Sequence, residues 1–315
     1  MKLWSWDSKA MTKQKSHPQV VGLGISAIDY LALVSHFPER DKKMKMLDFK
    51  VQGGGPVATA LVTLARFGIS TGYVGKVGGD NFGKFILHSL EKEGVDISRV
   101  VVDEKSSSLF AFVIIEKKTG RRTILWTRGD SSPLRTQELD EDYLLSAKVL
   151  HFDGYEVESS IWIAKKAKIR KIKLILDLDT IVPDIDELIS LCDVVIPSWP
   201  MALKLTGENK PEEAVRKIRS MGPGIVAITL GGKGCICSSD KEIFFQPGMK
   251  VKTVDTTGAG DVFHGAFIFG LLQGWDLRKI AKFSNIVAAL NCTELGGRGG
   301  IPDLNKALDL LQKME

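Results

Sequence analysis

Short, largely apolar runs mark the middle of the chain, at 149–152, 174–178, 194–196 and 225–230, with helix-like stretches between them. Runs of that length without alternating polar residues are strands buried on both faces. Their interleaving with helices predicts a mostly parallel sheet covered on both sides. The front of the chain reads differently. Buried strands are expected at 19–24 and 71–74, but 29–34, 43–52, 109–116 and 121–127 read as half-exposed extended segments. In 44–52, Met44, Met46, Phe49 and Val51 are interrupted by Lys and Asp, as in a strand with one wet face. Segments 109–115 and 123–126, joined around Lys117-Lys118-Thr119-Gly120, read as a hairpin. Strands of this kind, set apart from a buried sheet, can form a lid over a site.

Helix signals punctuate the same pattern. Gly53-Gly54-Gly55-Pro56 opens a helix with proline near its first position, and Gly68 stops it. A loop follows at Gly75-Lys76-Val77-Gly78-Gly79-Asp80, then a helix ending at Gly94. Two long helices are expected at 258–272 and 277–294, with a short one closing the chain. The 315 residues show no internal repeat and no low-complexity linker. They fit one large α/β domain over 18–315, preceded by a loose extension at 1–17 that carries Trp4 and Trp6 and has no signal-peptide core.

Composition narrows the possibilities. The net charge of +5 is scattered, without a basic arm interleaved with aromatics, so nucleic-acid binding is not expected. The densest basic group, Lys165, Lys166, Lys168, Arg170, Lys171 and Lys173, reads as the solvated face of a helix. No apolar run approaches the roughly 18 residues of a membrane span. The four cysteines make no zinc pattern. Cys235 and Cys237 alternate onto one strand face as small apolar residues in a reducing cytosol, which gives a cytoplasmic expectation.

The candidate chemistry centres on 254–267, Val-Asp-Thr-Thr-Gly-Ala-Gly-Asp-Val-Phe-His-Gly-Ala-Phe. Thr256 and Thr257 can cap the helix that starts there, and Gly258, Ala259 and Gly260 leave backbone N–H groups uncovered. Free N–H groups and the helix dipole make such a start an anion site, and Asp261 lies where the anion would arrive. An anion cradle beside a base suggests transfer of a charged group to a hydroxyl. An ordinary capped helix whose Asp favours the dipole satisfies the same pattern. In either case the helix terminus is expected to lower the pKa of Asp261. Two further glycine-rich turns follow strand ends: Gly53-Gly54-Gly55, and Thr229-Leu230-Gly231-Gly232-Lys233-Gly234 at a position where ligands settle in open α/β sheets. Together they suggest two ligands with 258–261 between them. The pattern Gly22-x-Gly24-x-x-Ala27 fits a dinucleotide fingerprint only loosely, since Pro38 comes too soon for its helix and second strand. No Gly-Lys pair is followed by the Ser or Thr of a Walker motif.

The 254–267 stretch resembles the second signature of the ribokinase-like, or PfkB, carbohydrate kinases, D-T-x-G-A-G-D. Residues 53–68 look like the family's first signature and 75–83 like its G-x-V-G-x-D-x-F-G segment. Thr229 to Gly234 resembles its T-x-G-x-x-G loop, and 296–302 takes the place of its C-terminal G-A-x-x-S-x-P. The resemblance implies a three-layer α/β/α fold with a small β lid, and ATP-dependent phosphorylation of a hydroxyl on a sugar-like or nucleoside-like acceptor. It implies Asp261 as base, with Gly258, Ala259 and Gly260 as the hole for the transferring phosphate. Asp29, Gly54 and Gly55 would contact the acceptor. Thr229, Gly231, Lys233, Gly234, Thr257 and Ala289 would hold ATP with Mg²⁺. Asp255 and Thr257 would help hold a K⁺-like monovalent cation, as in many members, and a homodimer through the lid is implied as well.

Two departures stand out. The first signature's Asn falls on Thr59, so one acceptor contact is shortened or lost. The N-x-x-E element that orders water around Mg²⁺ falls on Ser198 and Met201, with Lys204 nearby. Intact Asp261 and glycines favour a kinase over a catalytically altered, ligand-binding relative. Three details, Gly-Gly-Gly-Pro-Val-Ala-Thr-Ala, Asp-Val-Phe-His-Gly-Ala and Cys-Thr-x-x-Gly-Gly-Arg-x-Gly-Ile-Pro-Asp, are most similar to the sulfofructose kinase branch. That branch's Asn and Arg at the sulfonate end fall here on Trp126 and Tyr155. Lys43 and Arg128, on the expected lid side, motivate an anionic acceptor unless both are solvated charges. Trp126 could stack on a sugar or cover the hairpin.

Overall fold

The computed structural model of the protein describes residues 17–314, and every count and absence below is of these residues. The expected extension at 1–17 lies outside them, apart from His17. The chain enters through β1 (Val20–Leu23), β2 (Ala27–Val34) and β3 (Asp48–Gly54), and α1 (Pro56–Arg66) follows. Next come β4 (Thr71–Val74), β5 (Lys76–Gly78), α2 (Asn81–Lys92) and β6 (Val101–Asp103), then the hairpin of β7 (Phe110–Glu116) and β8 (Arg122–Thr127). Strands and helices then alternate: α3 (Glu141–Leu145), β9 (Val149–Phe152), α4 (Val157–Ile169), β10 (Lys173–Leu178) and α5 (Ile185–Leu191). They continue as β11 (Val194–Pro197), α6 (Trp199–Thr206), α7 (Pro211–Ser220) and β12 (Ile225–Thr229). β13 (Gly234–Ser238), β14 (Ile243–Pro247), α8 (Ala259–Leu272), α9 (Leu277–Asn291) and α10 (Leu304–Lys313) complete it.

Among the described residues, eight strands form the central sheet, in the order β14-β13-β12-β11-β10-β9-β1-β4. From β12 to β4 all neighbours are parallel, while β13 and β14 extend the edge antiparallel. Every residue of β1, β4, β9 and β11 is buried. Covered faces on both sides are why these strands read as largely apolar runs without alternation. On one face α1, α2, α8, α9 and α10 pack around Phe67, Phe263, Phe267 and Phe283. On the other, α3 to α7 contribute Leu144, Ile163, Leu188, Ala202 and Val215. Burying one such side chain fully is worth about 1.5–3 kcal/mol, so the two layers fix the sheet whose strand ends carry the site.

A second sheet, in the order β3-β2-β7-β8, forms the lid. Its register sorts the residues by face. Asp29 pairs with Gln52 and Ala111, Ala111 with Trp126, Leu33 with Ile115, and Ile115 with Arg122. Asp29, Trp126 and Arg122 therefore share one side, because side chains alternate along a strand. That side packs through Leu31, Ala111, Val113 and Ile115 toward Leu295, next to the carboxyl-terminal glycine-rich loop.

Several expectations need correction. The strand expected from 43 begins only at Asp48 and continues through Gly53 and Gly54. Those glycines lie flat against Arg298 and Asp29, where a side chain would collide, so the strand reaches past the apolar alternation. The expected loop at 75–80 holds β5, paired with β6, which is distant in sequence and leaves no local pattern. Edge strand β14 had no forecast. Residues 27–34 form a strand rather than the helix a dinucleotide fold needs, and Gly22 is small because Val57 and Leu61 of α1 press on it. The basic group around α4 is largely solvated, and Cys235 and Cys237 are buried thiols that form no disulfide, their Sγ atoms in hydrogen-bond contact at 3.8 Å. No helix of the described residues is long and apolar enough to cross a membrane.

Candidate active site

The first turn of α8 lies at the carboxyl ends of β10 and β11. His264, one turn into the helix, ties it there. Its Nδ1 is 2.7 Å from the Gly260 carbonyl oxygen and its Nε2 is 3.0 Å from that of Ile196. The Asp177 carboxylate is 3.4 Å from Nδ1. Gly258 caps the helix in the left-handed region, φ 70°, with its Cα against Gly297. Neither threonine caps it, contrary to expectation. The Thr257 hydroxyl and backbone N–H both donate to Asp255 Oδ1, at 2.7 and 2.8 Å. Thr256 instead faces the lid, where its hydroxyl donates to the Gly120 carbonyl at 3.2 Å and accepts from Arg122 Nη1 at 2.9 Å.

Gly260 is exposed, and a Cβ built on it would meet nothing within 4 Å. The leading N–H groups of a helix have no partner further back in it. The head of α8 thus offers donors beneath open space, which suits an anion.

Asp261 stands beside this opening. Its pKa is raised to about 7, opposite to the expected lowering. Burial is the main cause, followed by the Asp179 carboxylate, while Arg122 pulls the value back. Burial and the neighbouring carboxylate outweigh the helix terminus, which is worth typically about 0.3–1 kcal/mol. Asp29 is raised to about 6, again by burial first, against the pull of Arg298. Asp153, buried at the end of β9, is raised to about 7 mainly by burial, although it accepts from the Ile25 N–H at 2.8 Å. Tyr155 donates its hydroxyl to Asp179 at 3.0 Å, and its ring meets Trp126 edge to face at 6.2 Å.

The expected acceptor side assembles in part. The Asp29 carboxylate lies against the Cα of Gly54, and Gly55 follows at the start of α1. Thr59 is withdrawn: it is 1 % exposed, and its hydroxyl accepts from Arg298 Nε at 3.2 Å. Arg298, also buried, donates through Nη2 to the Gly54 carbonyl at 3.1 Å. Burial lowers its pKa to about 10, so it keeps its charge at neutral pH. Arg128 is paired with the buried Glu156, which also accepts from the Leu134 N–H at 2.8 Å. Lys43 is exposed in the segment between β2 and β3. Sequence reasoning passed over Arg122, Asp153, Asp179 and Glu156, and placed Arg298 only as part of a glycine-rich segment.

The other expected ligand side lies at the end of β12. Thr229 is half-buried, Gly231 and Lys233 are exposed, and Gly234 is held against the β14 backbone. No atom lies within 4 Å of a Cβ built on Gly231 or Gly232, so their faces are open. Ala289, half-buried, sits one turn beyond Asn285, whose amide donates to the Gln246 carbonyl at 3.2 Å. Ser198, at the head of α6, bridges to Thr229, and Lys204 is exposed. Asp255 has both oxygens engaged, Oδ1 by Thr257 and Oδ2 by the Gly296 N–H at 2.8 Å.

A model of the pfkB family of carbohydrate kinases matches residues 17–304. The chain is 32% identical over 269 residues to 2-dehydro-3-deoxygluconokinase of Bacillus subtilis, covering 79% of this chain and 83% of that one. It superposes on ribokinase of Thermotoga maritima with a TM-score of 0.80 at 27% identity, over 94% of this chain and 99% of that one. An E. coli protein described as a ribokinase II, in complex with ATP and Mg²⁺, superposes with a TM-score of 0.82 at 25% identity, again over 94% and 99%.

Proposed function

The chain belongs to the pfkB family of carbohydrate kinases, with the ribokinase-like fold, and from that premise we propose that it moves the terminal phosphoryl group of ATP onto a hydroxyl of a sugar-like acceptor, with Asp261 as base. The observation that carries this reading is the pairing of Asp261 with the open Cα face of Gly260 at the head of α8. The comparisons stop at the family and do not single out the sulfofructose kinase branch.

In the proposed reaction the acceptor oxygen bonds to the γ-phosphorus as the bond to the β,γ-bridging oxygen breaks. ADP leaves, and the acceptor's proton passes to Asp261. A base with a pKa near 7 is well matched to that task at neutral pH. Charge spreads over the transferring group, so positioning and electrostatics dominate. One donor of the 258–260 hole can be worth about 3 kcal/mol in a closed site. Asp29, Gly54 and Gly55 bind the acceptor from the lid side, with Trp126 as an aromatic wall.

Thr229, Gly231, Lys233 and Gly234 with Ala289 make the nucleotide side of this reading, supported by the open faces at Gly231 and Gly232 and by the ATP and Mg²⁺ of the E. coli relative. Among the described residues no group of three or more His, Cys, Asp or Glu could hold a metal ion. Mg²⁺ would therefore come with the nucleotide, whose phosphate charge it shields. Asp255 accepts from Thr257 through one oxygen and from the Gly296 N–H through the other, which fits a frame for the turn better than a ligand for a monovalent cation. Residues 18–315 are read as one kinase domain. A homodimer through the lid is supported only by Phe49 and Leu125, exposed on the lid's outer side.

Arg128 is paired with Glu156, and the cleft presents Asp29, Asp179 and Asp261 against Arg122 and Arg298, one carboxylate more than the cations. This charge balance favours an uncharged polyhydroxy acceptor over an acid. ADP release across paired neutral and carboxylated sugars tests the assignment. Turnover is expected with a neutral sugar. ATP binding without turnover on any sugar would leave a ligand-binding relative instead, and preference for the acids would overturn the charge argument.

A further inference from the structure

The imidazole of His264 is buried between the head of α8 and the sheet, 3 % exposed. Its Nδ1 reaches one turn back to the Gly260 carbonyl oxygen at 2.7 Å, and its Nε2 reaches the Ile196 carbonyl oxygen of β11 at 3.0 Å. Both partners can only accept. A neutral imidazole donates through one nitrogen and presents a lone pair at the other. Either neutral tautomer would therefore set a lone pair against a carbonyl oxygen. Satisfying both carbonyls takes two donors, which is the imidazolium.

Its counter-ion stands beside it. Asp177 of β10 is buried, with Oδ2 3.4 Å from Nδ1. Burial pushes the ring down to about 4 and Asp177 well above the usual carboxylate range, which by itself would leave the proton on the acid. A neutral ring with a protonated acid holds as many protons as an imidazolium with a carboxylate, and both pairs have zero net charge. The two carbonyls decide between them, because only a proton on the ring gives each a donor. The neighbours agree. His151 of β9 stacks on the ring at 5.8 Å and is kept neutral, pushed down to about 3 by burial and by His264. Asp153, Asp179 and Asp261 act on Asp177 from the other sides, and negative neighbours favour a cation among them.

The position of this cation gives it a task. The hydrogen-bond ladder of α8 begins with the Val262 N–H, which donates to the Gly258 carbonyl at 2.9 Å, so the Asp261 N–H is left over at the opening. That N–H shares one planar peptide with the Gly260 carbonyl. A charged donor on the carbonyl fixes the plane and polarises it, which strengthens the N–H on its far side. Through Ile196 the same ring ties the helix head to the sheet.

We propose that His264 is a buried imidazolium, paired with Asp177, that positions and polarises the Gly260–Asp261 peptide at the rim of the phosphate hole. The positioning role rests on the kinase reading above; the ion pair does not.

Heteronuclear NMR of the histidine-labelled protein without nucleotide tests the ion pair. Both ring nitrogens of His264, identified by their loss in His264→Asn, are expected at the protonated position at neutral pH. In Asp177→Asn one of them should move to the unprotonated position. A singly protonated ring in the wild type, or an unchanged spectrum in Asp177→Asn, would overturn the pair. Steady-state kinetics test the positioning. Asn sets its amide nitrogen near the place of Nδ1 and Gln sets it near that of Nε2, so His264→Asn keeps the Gly260 donor and His264→Gln only the Ile196 donor. In His264→Gln kcat should fall about 10- to 100-fold with both KM values within about threefold, and His264→Asn should stay at least about fivefold faster than His264→Gln. Equal kcat in the two variants, measured well below either Tm, would overturn the positioning role. A wild type that transfers no phosphate to any sugar would overturn it together with the kinase reading, while the NMR signals still decide the ion pair.

Discussion

Trp126 and Tyr155 meet edge to face, their ring centroids 6.2 Å apart at 84°, so a lid strand and the loop after β9 close one corner of the cleft with aromatic surface. Here the Tyr155 hydroxyl is turned to Asp179, and the ring of Trp126 remains 53 % exposed on the Asp29 side of the lid. An aromatic face in that place suits the C–H surface of a sugar ring. Trp126→Ala should raise the KM for the acceptor by up to about tenfold, the worth of a ring contact, with kcat nearly constant. Steady-state kinetics decide it; an unchanged KM would mean that the ring only covers the hairpin.

The raised pKa of Asp261 predicts a pH profile. The residue accepts a proton only when ionised, so kcat should rise with pH and level off above about 7. Asp179 is one cause of that elevation, so Asp179→Asn should move the midpoint to lower pH. Asp261→Asn should reduce kcat by about 10²- to 10⁴-fold with little change in acceptor KM. Near-normal turnover in that variant would remove Asp261 from the chemistry.

The same group makes a stability prediction of definite sign. Its pKa of about 7 in the fold exceeds the ordinary 3.8, so the native state holds the proton more tightly than the unfolded chain. Its contribution is complete below about 4, declines as pH rises through 7, and is flat beyond. Asp261→Asn mimics the protonated form. Its Tm should exceed that of the wild type at pH 8, and the gap should close toward pH 4. A gap that widens on acidification would contradict the raised value.

How far the sequence revealed this site depends on the reach of each signal. Gly54, Gly258 and Asp261 sit in dense glycine patterns because backbone must approach backbone or ligand there, and such patterns are local. Arg122 is one basic residue among 43, in a strand whose six residues are all exposed. The register with Ile115, and through it Leu33, sets its face, and its partner Thr256 lies 134 residues away in the sequence. The pKa of Asp261 departs from the sequence expectation for a related reason: the helix start is visible along the chain, whereas Asp179, just past β10, and the burial that together outweigh it arise only in the fold.

Arg298 carries the acceptor side from behind. Nε and Nη2 hold Thr59 and Gly54, and its charge offsets Asp29. Arg298→Ala would leave the buried Thr59 hydroxyl and Gly54 carbonyl without their donor and should cost about 1–3 kcal/mol. Arg298→Lys keeps the charge but not the fork, and should recover part of the stability while acceptor KM stays high. Chemical denaturation and kinetics on both variants test this; equal stability of the alanine variant and the wild type would refute it.

Two glycines of α8 offer opposite outcomes from the same substitution. At Gly265 an added Cβ would lie 2.7 Å from the Ala60 carbonyl oxygen and 2.7 Å from Thr63 Cβ, so α1 and α8 touch there through bare backbone. Gly265→Ala must push the helices apart, a cost of about 1–3 kcal/mol for overpacking, with activity lost only as the fold is lost. At Gly260 nothing lies within 4 Å, and alanine is the better helix former by up to about 1 kcal/mol. Gly260→Ala should therefore keep or raise the Tm. If the open space is where phosphate arrives, the new methyl group stands in it, and kcat should fall by at least about tenfold despite the sounder fold. A Gly260→Ala protein that is both stable and fully active would remove the anion from that position.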